Sequence, residues 1–164
     1  MSNPYETPLS NLENDEQDSV TLATRGSRFL AALIDGLIGI AIAVPFWLLS
    51  GMWDFIAAGA QAPLIYMLAG GVYGFIGFVL IHYYLLNKNG QTVGKKLLKI
   101  RITGTDDQLK GAPQLLGKRY LPITIVSMIP LLGSLLMLIN LLFIFRKDRR
   151  CVHDLIAGTK VVMC

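Results

Sequence analysis

The sequence predicts an all-α, multi-pass transmembrane helical bundle with a small cytoplasmic cap. Three observations carry this. Only 16% of the 164 residues are charged, against about 25% in a soluble domain. Mean hydropathy is +0.52, and the apolar residues fall in runs near the length of about 20 that crosses a bilayer core. The Lys and Arg residues gather just outside those runs, as they do at the cytoplasmic flanks of membrane helices.

The N-terminal stretch, residues 1–24, carries Glu6, Glu13, Asp15, Glu16 and Asp18 among Ser, Asn and Pro. It holds too little apolar surface to fold and is expected to be disordered, on the cytoplasmic side. It lacks the basic start and apolar core of a signal peptide, so the first apolar segment is expected to stay as an anchor. Residues 25–164 then form the membrane domain.

The first span is expected at 29–49, with Asp35 as its one interior charge and Pro45 as a kink. Ala32, Gly36, Gly39 and Ala43 recur at helical spacing and offer a smooth stripe to another helix. The loop at 50–62 has Asp54 but no Lys or Arg, and Trp47 and Trp53 flank the span end. The second span is expected at 64–86, where Gly70, Gly74 and Gly77 form another stripe. The two spans are therefore expected to pack as a tight antiparallel hairpin.

A basic connector follows at 87–119 and should lie inside by the positive-inside rule. Within it, Leu98, Ile100 and Ile102 alternate with Lys99 and Arg101, the period-2 pattern of a short strand. Thr103 to Asp107 reads as a turn.

The last apolar stretch, 120–145, poses a topological conflict. A single crossing, giving three spans, puts the tail outside. That tail carries Arg146, Lys147, Arg149, Arg150 and Lys160, which argue for inside. A turn near Pro130 and Gly133 resolves this with two helices, about 113–129 and 131–146, giving four membrane-embedded helices. The short β-like segment from Thr159 to Met163 favours the turn, because it could pair with Lys99 to Thr103 only on the same side. Length opposes it: Tyr120 to Ile129 supplies ten residues, about half a span. The first arm must start upstream, with Lys118 and Arg119 snorkelling or paired, or be re-entrant behind protein. The hairpin is favoured, with both termini inside.

Several residues are candidates for chemistry. Asp35 lies seven residues after Arg28, a rise of about 10 Å that places it well inside the hydrocarbon. A carboxylate there needs a partner, a proton or water. It suits a cation or proton site, or else a packing lock with Arg119, His82 or Asn140. Arg28 is at the interface, as an anchor that snorkels to headgroups. Its side chain points back toward the helix N-terminus, so a bond to Asp35 is disfavoured and one to Asp154 of the tail preferred. Asp154 is expected to cap a short helix or accept an Arg. His153 beside it lacks the nucleophile and pocket of a catalytic dyad. His82 reads as an interfacial polar residue, and Asn140 as a helix–helix hydrogen bond.

Gly90 to Lys96 is superficially similar to a phosphate loop, but Lys96 stands where Ser or Thr is required. It reads instead as a tight turn with basic residues at the headgroups. Cys151 and Cys164 have no Cys-x-x-Cys spacing, so neither a metal nor another cofactor is expected. Basicity, at net charge +4, comes without an aromatic-laced basic face, so nucleic acid is not an expected partner.

Three segments in order resemble the RDD family of small membrane proteins, named for one Arg and two Asp. The stretch Arg28-Phe29-Leu30-Ala31-Ala32-Leu33-Ile34-Asp35 is similar to the family's opening helix. Gly90-Gln91-Thr92-Val93-Gly94-Lys95 is similar to its Gly-x-Thr-x-Gly-Lys element, and His153-Asp154 through Gly158-Thr159-Lys160-Val161 to its ending. The resemblance makes Asp154 the second Asp. It implies a transport role, which has been proposed for the family, and nothing finer.

Two functions are carried forward. One is a transporter or transporter subunit for protons, cations or a small solute, with Asp35 as the coupling group. Four helices enclose little space, so a pathway calls for a homo-oligomer. The other is a non-transporting scaffold whose helices and basic cap hold membrane proteins or anionic lipid headgroups. No enzymatic activity is expected. The site is the cell membrane, the inner one in a two-membrane bacterium.

Overall fold

A computed structural model of the chain describes residues 20–129 and 132–164. The expected disorder of residues 1–19 and the turn apex at Pro130 lie outside the described residues. The described chain is mostly helical, with one small sheet at one end.

Helix α1 spans Arg25–Ser50. It begins ahead of the apolar run because Thr24 caps it, its Oγ1 accepting from the Ser27 N–H at 3.1 Å. It ends at Gly51, whose φ of 77° breaks the helical path. A short helix α2, Met52–Ala57, leads to α3, Leu64–Asn89. Helices α1 and α3 are long and apolar enough to cross a membrane, with segment hydropathies of 2.2 and 2.1. Their Leu33, Leu37, Leu48, Ile65, Val72 and Leu80 side chains are exposed. A soluble protein's core helix would bury such residues, so these faces suit lipid rather than water.

The two helices run antiparallel. Phe46 stacks on Tyr73, with ring centroids 5.4 Å apart. A Cβ at Gly70 would lie 3.0 Å from Phe46, and one at Gly77 would lie 2.5 Å from Ile42. Those two glycines therefore permit close approach. Gly36, Gly39 and Gly74 do not: a Cβ at any of them meets nothing within 4 Å. This corrects the expected packing role of Gly36, Gly39 and Gly74 only. Gly39 and Gly74 instead line a cavity of about 300 Å³ shared with Tyr120 and Ile123.

After α3 the chain folds back through α4, Val93–Leu97, into β1, Ile100–Gly104. Strand β1 pairs antiparallel with β2, Thr159–Met163, in the register Ile102↔Val161. The segment before α1 joins them. Leu22 bridges Val162, and the Ala23 N–H donates to the Val161 carbonyl at 2.9 Å. Residues 21–23 thus belong to the cap, which corrects the expected disorder for those residues. The cap core is Ala23, Leu86, Ile100, Ile102, Leu115 and Val161.

The last apolar stretch starts in α5, Ala112–Leu115, passes a π turn at Leu116–Tyr120, and continues as α6, Leu121–Ser127. Pro122 has no N–H to give and would crowd the carbonyl four residues back, so the backbone widens there. Helix α7, Leu132–Leu142, follows and tightens into a 3₁₀ turn at Phe143–Phe145. Gly133 lies against α6, where a Cβ would be 2.7 Å from the Val126 carbonyl. The Ala112 N–H meets Asn87 Oδ1 at 3.3 Å, and Arg25 donates to the Phe145 carbonyl at 3.2 Å. The stretch therefore begins and ends at the cap end of the long helices. A short helix α8, Val152–Ala157, leads from there into β2.

Gly90 closes α3 at φ 65°, and a Cβ there would lie 2.5 Å from the Ile102 carbonyl. Gly90→Ala is expected to cost about 1–3 kcal/mol. Gly36→Ala, with open space, is expected to stay within about 0.5 kcal/mol. Thermal unfolding of the two purified variants in one detergent measures the contrast.

Candidate functional site

Two polar clusters join the cap to the helices. The first centres on Asp154, which α8 presents from its first turn. Its Oδ2 accepts from the Cys151 N–H at 3.1 Å, tying off the helix start. The same carboxylate pairs with Arg28 of α1 and with Arg119 of the π turn. The three residues are 0%, 8% and 2% exposed. A lone buried charge would be prohibitive, so the two guanidiniums are what make this carboxylate tolerable.

Further bonds fix each partner. Arg119 Nη1 donates to Thr159 Oγ1 at 2.8 Å, and Nη2 to His153 Nε2 at 3.1 Å. His153 Nδ1 lies 2.9 Å from Asn140 Oδ1, so the partners assign its proton to Nδ1. Arg28 Nη1 donates to the Arg149 carbonyl. Arg149 sits at φ 51°, a left-handed conformation that a non-glycine residue adopts at a cost of about 1–3 kcal/mol.

Electrostatics follow from burial. Desolvation pushes the His153 imidazole down to about 3, and neighbouring Arg119 pushes the same way. It is neutral across the physiological range. Burial alone would raise the Asp154 carboxyl, but Arg119 and Arg28 hold it well below the usual carboxylate range. Burial raises the Cys151 thiol, against the opposing pull of Arg28.

Cys151, His153 and Asp154 bring donor atoms within 4.8 Å of one another. Two guanidiniums already occupy the carboxylate, so a metal ion there would face two fixed positive charges. The donor set does not suit a cation.

The second cluster holds Asp35. Its Oδ2 accepts from Thr92 Oγ1 at 2.5 Å, and its Oδ1 from the Gly94 N–H at 2.8 Å. Lys95 Nζ stands 3.6 Å away. The Gly-x-Thr-x-Gly-Lys element thereby acquires a use residue by residue. Gly90 turns the chain out of α3, and Thr92 caps α4 while binding Asp35. Gly94 lets α4 lie against α1, since a Cβ would strike the Ala31 carbonyl. Lys95 supplies the counter-charge.

Several expectations are corrected here. Asp35 does not pair with Arg119, His82 or Asn140, because the connector folds back and meets it first. Gly90 to Lys96 is not merely a headgroup turn. His82 is buried rather than interfacial, its Nδ1 accepting from the Val93 N–H at 3.3 Å. Arg28 is enclosed by the cap rather than snorkelling. Asn140 holds the tail His153 rather than a second membrane helix. Arg28 and Asp154 are together, and Asp35 is in the separate cluster. The sequence reading missed Thr92, Gly94 and Lys95 as partners of Asp35. A Thr followed by a short helical run after a glycine was the available signal.

Between the clusters lies a cavity of about 580 Å³. Polar side chains, Arg28, Asp35, Lys95, Arg119 and His153, and apolar ones, Phe29, Phe78, Ile123, Met137 and Leu138, share its lining. Such a volume is in the range of ligand clefts, about 300–1,000 Å³.

Asp154→Asn leaves two buried guanidiniums without their counter-charge, a loss expected to cost about 3–5 kcal/mol. Faster amide exchange in β2 is the readout. The pH dependence has a definite sign. Between its ordinary 6.5 and about 3, His153 binds a proton when unfolded but not when folded. Cap stability is therefore complete above 6.5 and falls as pH drops below it, by up to about 1.4 kcal/mol per pH unit. Asp154, lowered in the fold, adds the same sign below its ordinary 3.8. His153→Asn is expected to flatten the dependence between pH 6.5 and 4 in the same exchange measurement.

A family model described as the RDD family matches residues 22–158. An uncharacterized protein of Haemophilus influenzae is 30% identical over 141 residues, covering 85% of this chain and 77% of its own. No solved structure matches. With Arg28, Asp35 and Asp154 all inside the matched region, the chain belongs to the RDD family of membrane-type proteins.

Proposed function

We propose that the chain is a multi-pass membrane transporter or transporter subunit for protons, cations or a small solute. In this reading α1 and α3 span the bilayer, and α5–α6 and α7 enter it as a hairpin. That makes four membrane-embedded helices, with the cap and both termini in the cytoplasm. The pairing of β1 with β2 supports it, because the connector and the tail must then lie on one side. The loop without Lys or Arg at 50–62 supports the opposite side for its own end. The location is the cell membrane.

One observation carries the transport reading: a cavity of about 580 Å³ between the helices and the cap, with Asp35 on its wall. Asp35 and Asp154 divide the work. Asp154 is fully buried between two guanidiniums and holds the cap. The Asp35 and Lys95 side chains are each 13% exposed, and their separation is 3.6 Å. In this reading Asp35, the more accessible of the two carboxylates, is the coupling group. A pathway through so small a bundle requires further copies of the chain or a membrane-protein partner. No covalent step is assigned to it.

A scaffold reading has its own support. Lys88, Lys96, Lys99, Lys118, Arg146 and Lys147 are exposed around the cap. Each basic residue near an anionic surface contributes about 1 kcal/mol. Flux of protons and cations into reconstituted vesicles separates the two. Transport predicts flux from the wild type that Asp35→Asn abolishes at equal insertion and unchanged thermal stability. No wild-type flux across the ion panel, with tight binding to anionic vesicles, would overturn transport in favour of the scaffold.

A further inference from the structure

A second hollow, of about 380 Å³, lies on the cap and shares no lining residue with the cavity between the two clusters. Elements that meet around the Gly90 turn build it. Lys88 and Asn89 come from the end of α3, Lys96 from α4 and Arg101 from β1, with Lys99 between α4 and β1. Ile100 and Ile102 belong to the cap core, so Arg101 between them faces the other side of the strand. Lys95 turns to Asp35, while its neighbour Lys96 lines the hollow.

Its charge is one-sided. Lys88, Lys96, Lys99 and Arg101 line it, and no Asp or Glu does. Asp35 is taken by Lys95, Asp106 by Lys110 and Asp107 by Lys160. Among the described residues, the Lys96 and Lys99 side chains make no hydrogen bond or ion pair. Lys88 has only Tyr84, whose hydroxyl is 3.4 Å away and whose ring it overlies. A terminal carboxylate at Cys164, set against the four cations, still leaves positive charge in excess. Like charges gathered in one hollow repel one another, a cost that a bound counter-anion removes. Lys99 also holds a left-handed φ of 53°, a strained conformation of the kind that gathers at ligand sites.

We propose that this hollow binds a phosphate group carrying more than one negative charge, either the monoester headgroup of a lipid or a free phosphate. Ammonium and guanidinium donors both suit phosphate oxygens. A singly charged carboxylate would leave most of the cations unmatched. The volume lies within the range of ligand sites, about 300–1,000 Å³. Leu109 is the one large apolar side chain in the lining, so the hollow takes a polar group rather than an apolar chain. Lys88 and Asn89 end a helix long and apolar enough to cross a membrane, which brings a lipid headgroup among the sources. The scaffold reading treats Lys88, Lys96 and Lys99 as part of a diffuse basic surface. Here they converge with Arg101 on one ligand. The inference requires neither flux nor the scaffold, so each can fail alone.

The test reads each lysine of the full chain in phosphatidylcholine nanodiscs, by its rate of acetylation with an N-hydroxysuccinimide ester. Inorganic pyrophosphate, against potassium chloride of equal ionic strength, is the free probe. The second arm dopes the nanodisc with phosphatidic acid, a phosphate monoester, against phosphatidylglycerol, a diester, at equal surface charge. The site predicts that Lys88, Lys96 and Lys99 are protected together, at one half-protecting concentration, while Lys118 and Lys147 react as before. Lys99→Gln should raise that concentration, read at Lys88 and Lys96, about tenfold, as loss of one charge-assisted bond implies. Lys118→Gln removes the same charge outside the hollow and should leave it unchanged. Protection by pyrophosphate assigns a free phosphate, and protection by phosphatidic acid assigns a headgroup. Protection by neither would overturn the proposal. Equal protection by phosphatidylglycerol, or protection that spreads to Lys118 and Lys147, would overturn it in favour of a diffuse basic surface. Unprotected lysines that react faster once Glu13, Asp15, Glu16 and Asp18 are changed to amides would overturn it in favour of the chain's own acidic segment.

Discussion

Asp154 carries a negative charge where almost no water reaches. The rest of the cap is arranged around that fact. An unpaired carboxylate in such a place would take up a proton or force the region open. Here Arg28 reaches it from the start of α1, and Arg119 from the π turn. The three residues are far apart in sequence, so the pairing brings the first helix, the last apolar stretch and the tail to one point. Such a lock adds little net stability over an apolar replacement of the same shape. Its effect is selective: few other arrangements of these segments leave all three charges paired.

The second cluster is joined to the first through the sheet. Once the tail is held, β2 lies beside β1 and beside residues 21–23. Strand β1 then fixes where the connector leaves α3. Gly90 turns the backbone at φ 65°, and its N–H and carbonyl join Leu86 to Ile102. That turn drops α4 onto α1, where Thr92 and Gly94 meet Asp35. Asp35 is thereby supplied with two donors and a lysine without any residue from a second long helix. The cavity is the space left between these two fixed points. Pro122, through the π turn, sets Arg119 and Tyr120 on its wall.

Much of this was legible in the residues. Apolar length and low charge indicated α1 and α3, and alternation indicated β1. The conflict over 120–145 was readable as a conflict, between its basic flanks and its length. The direction of an arginine side chain on a helix favoured Asp154 over Asp35 as the partner of Arg28. Other features were not legible, for physical reasons. A stripe such as Gly36 and Gly39 shows where a helix could approach, not whether one does; here the space stays open. Asp35 looked exposed to hydrocarbon because a helical rise counts depth but not what folds back over it. His82 looked interfacial and Asn140 like a helix-to-helix contact, since the hydropathy pattern does not reveal that loop and tail backbones reach them. The π turn was the nearest to a missed signal, because Pro122 inside a helical stretch requires some such widening.

The central claim is that Arg28, Asp154 and Arg119 hold the tail shut against the helices. Cys151 sits beside this lock at 6% exposure, while Cys164 is exposed at the end of β2. The most direct measurement compares the alkylation rates of the two thiols by maleimide in permeabilised native membranes. The account predicts that Cys164 reacts quickly and Cys151 stays unmodified until the cap is denatured. Comparable rates at both thiols in the native protein would contradict it.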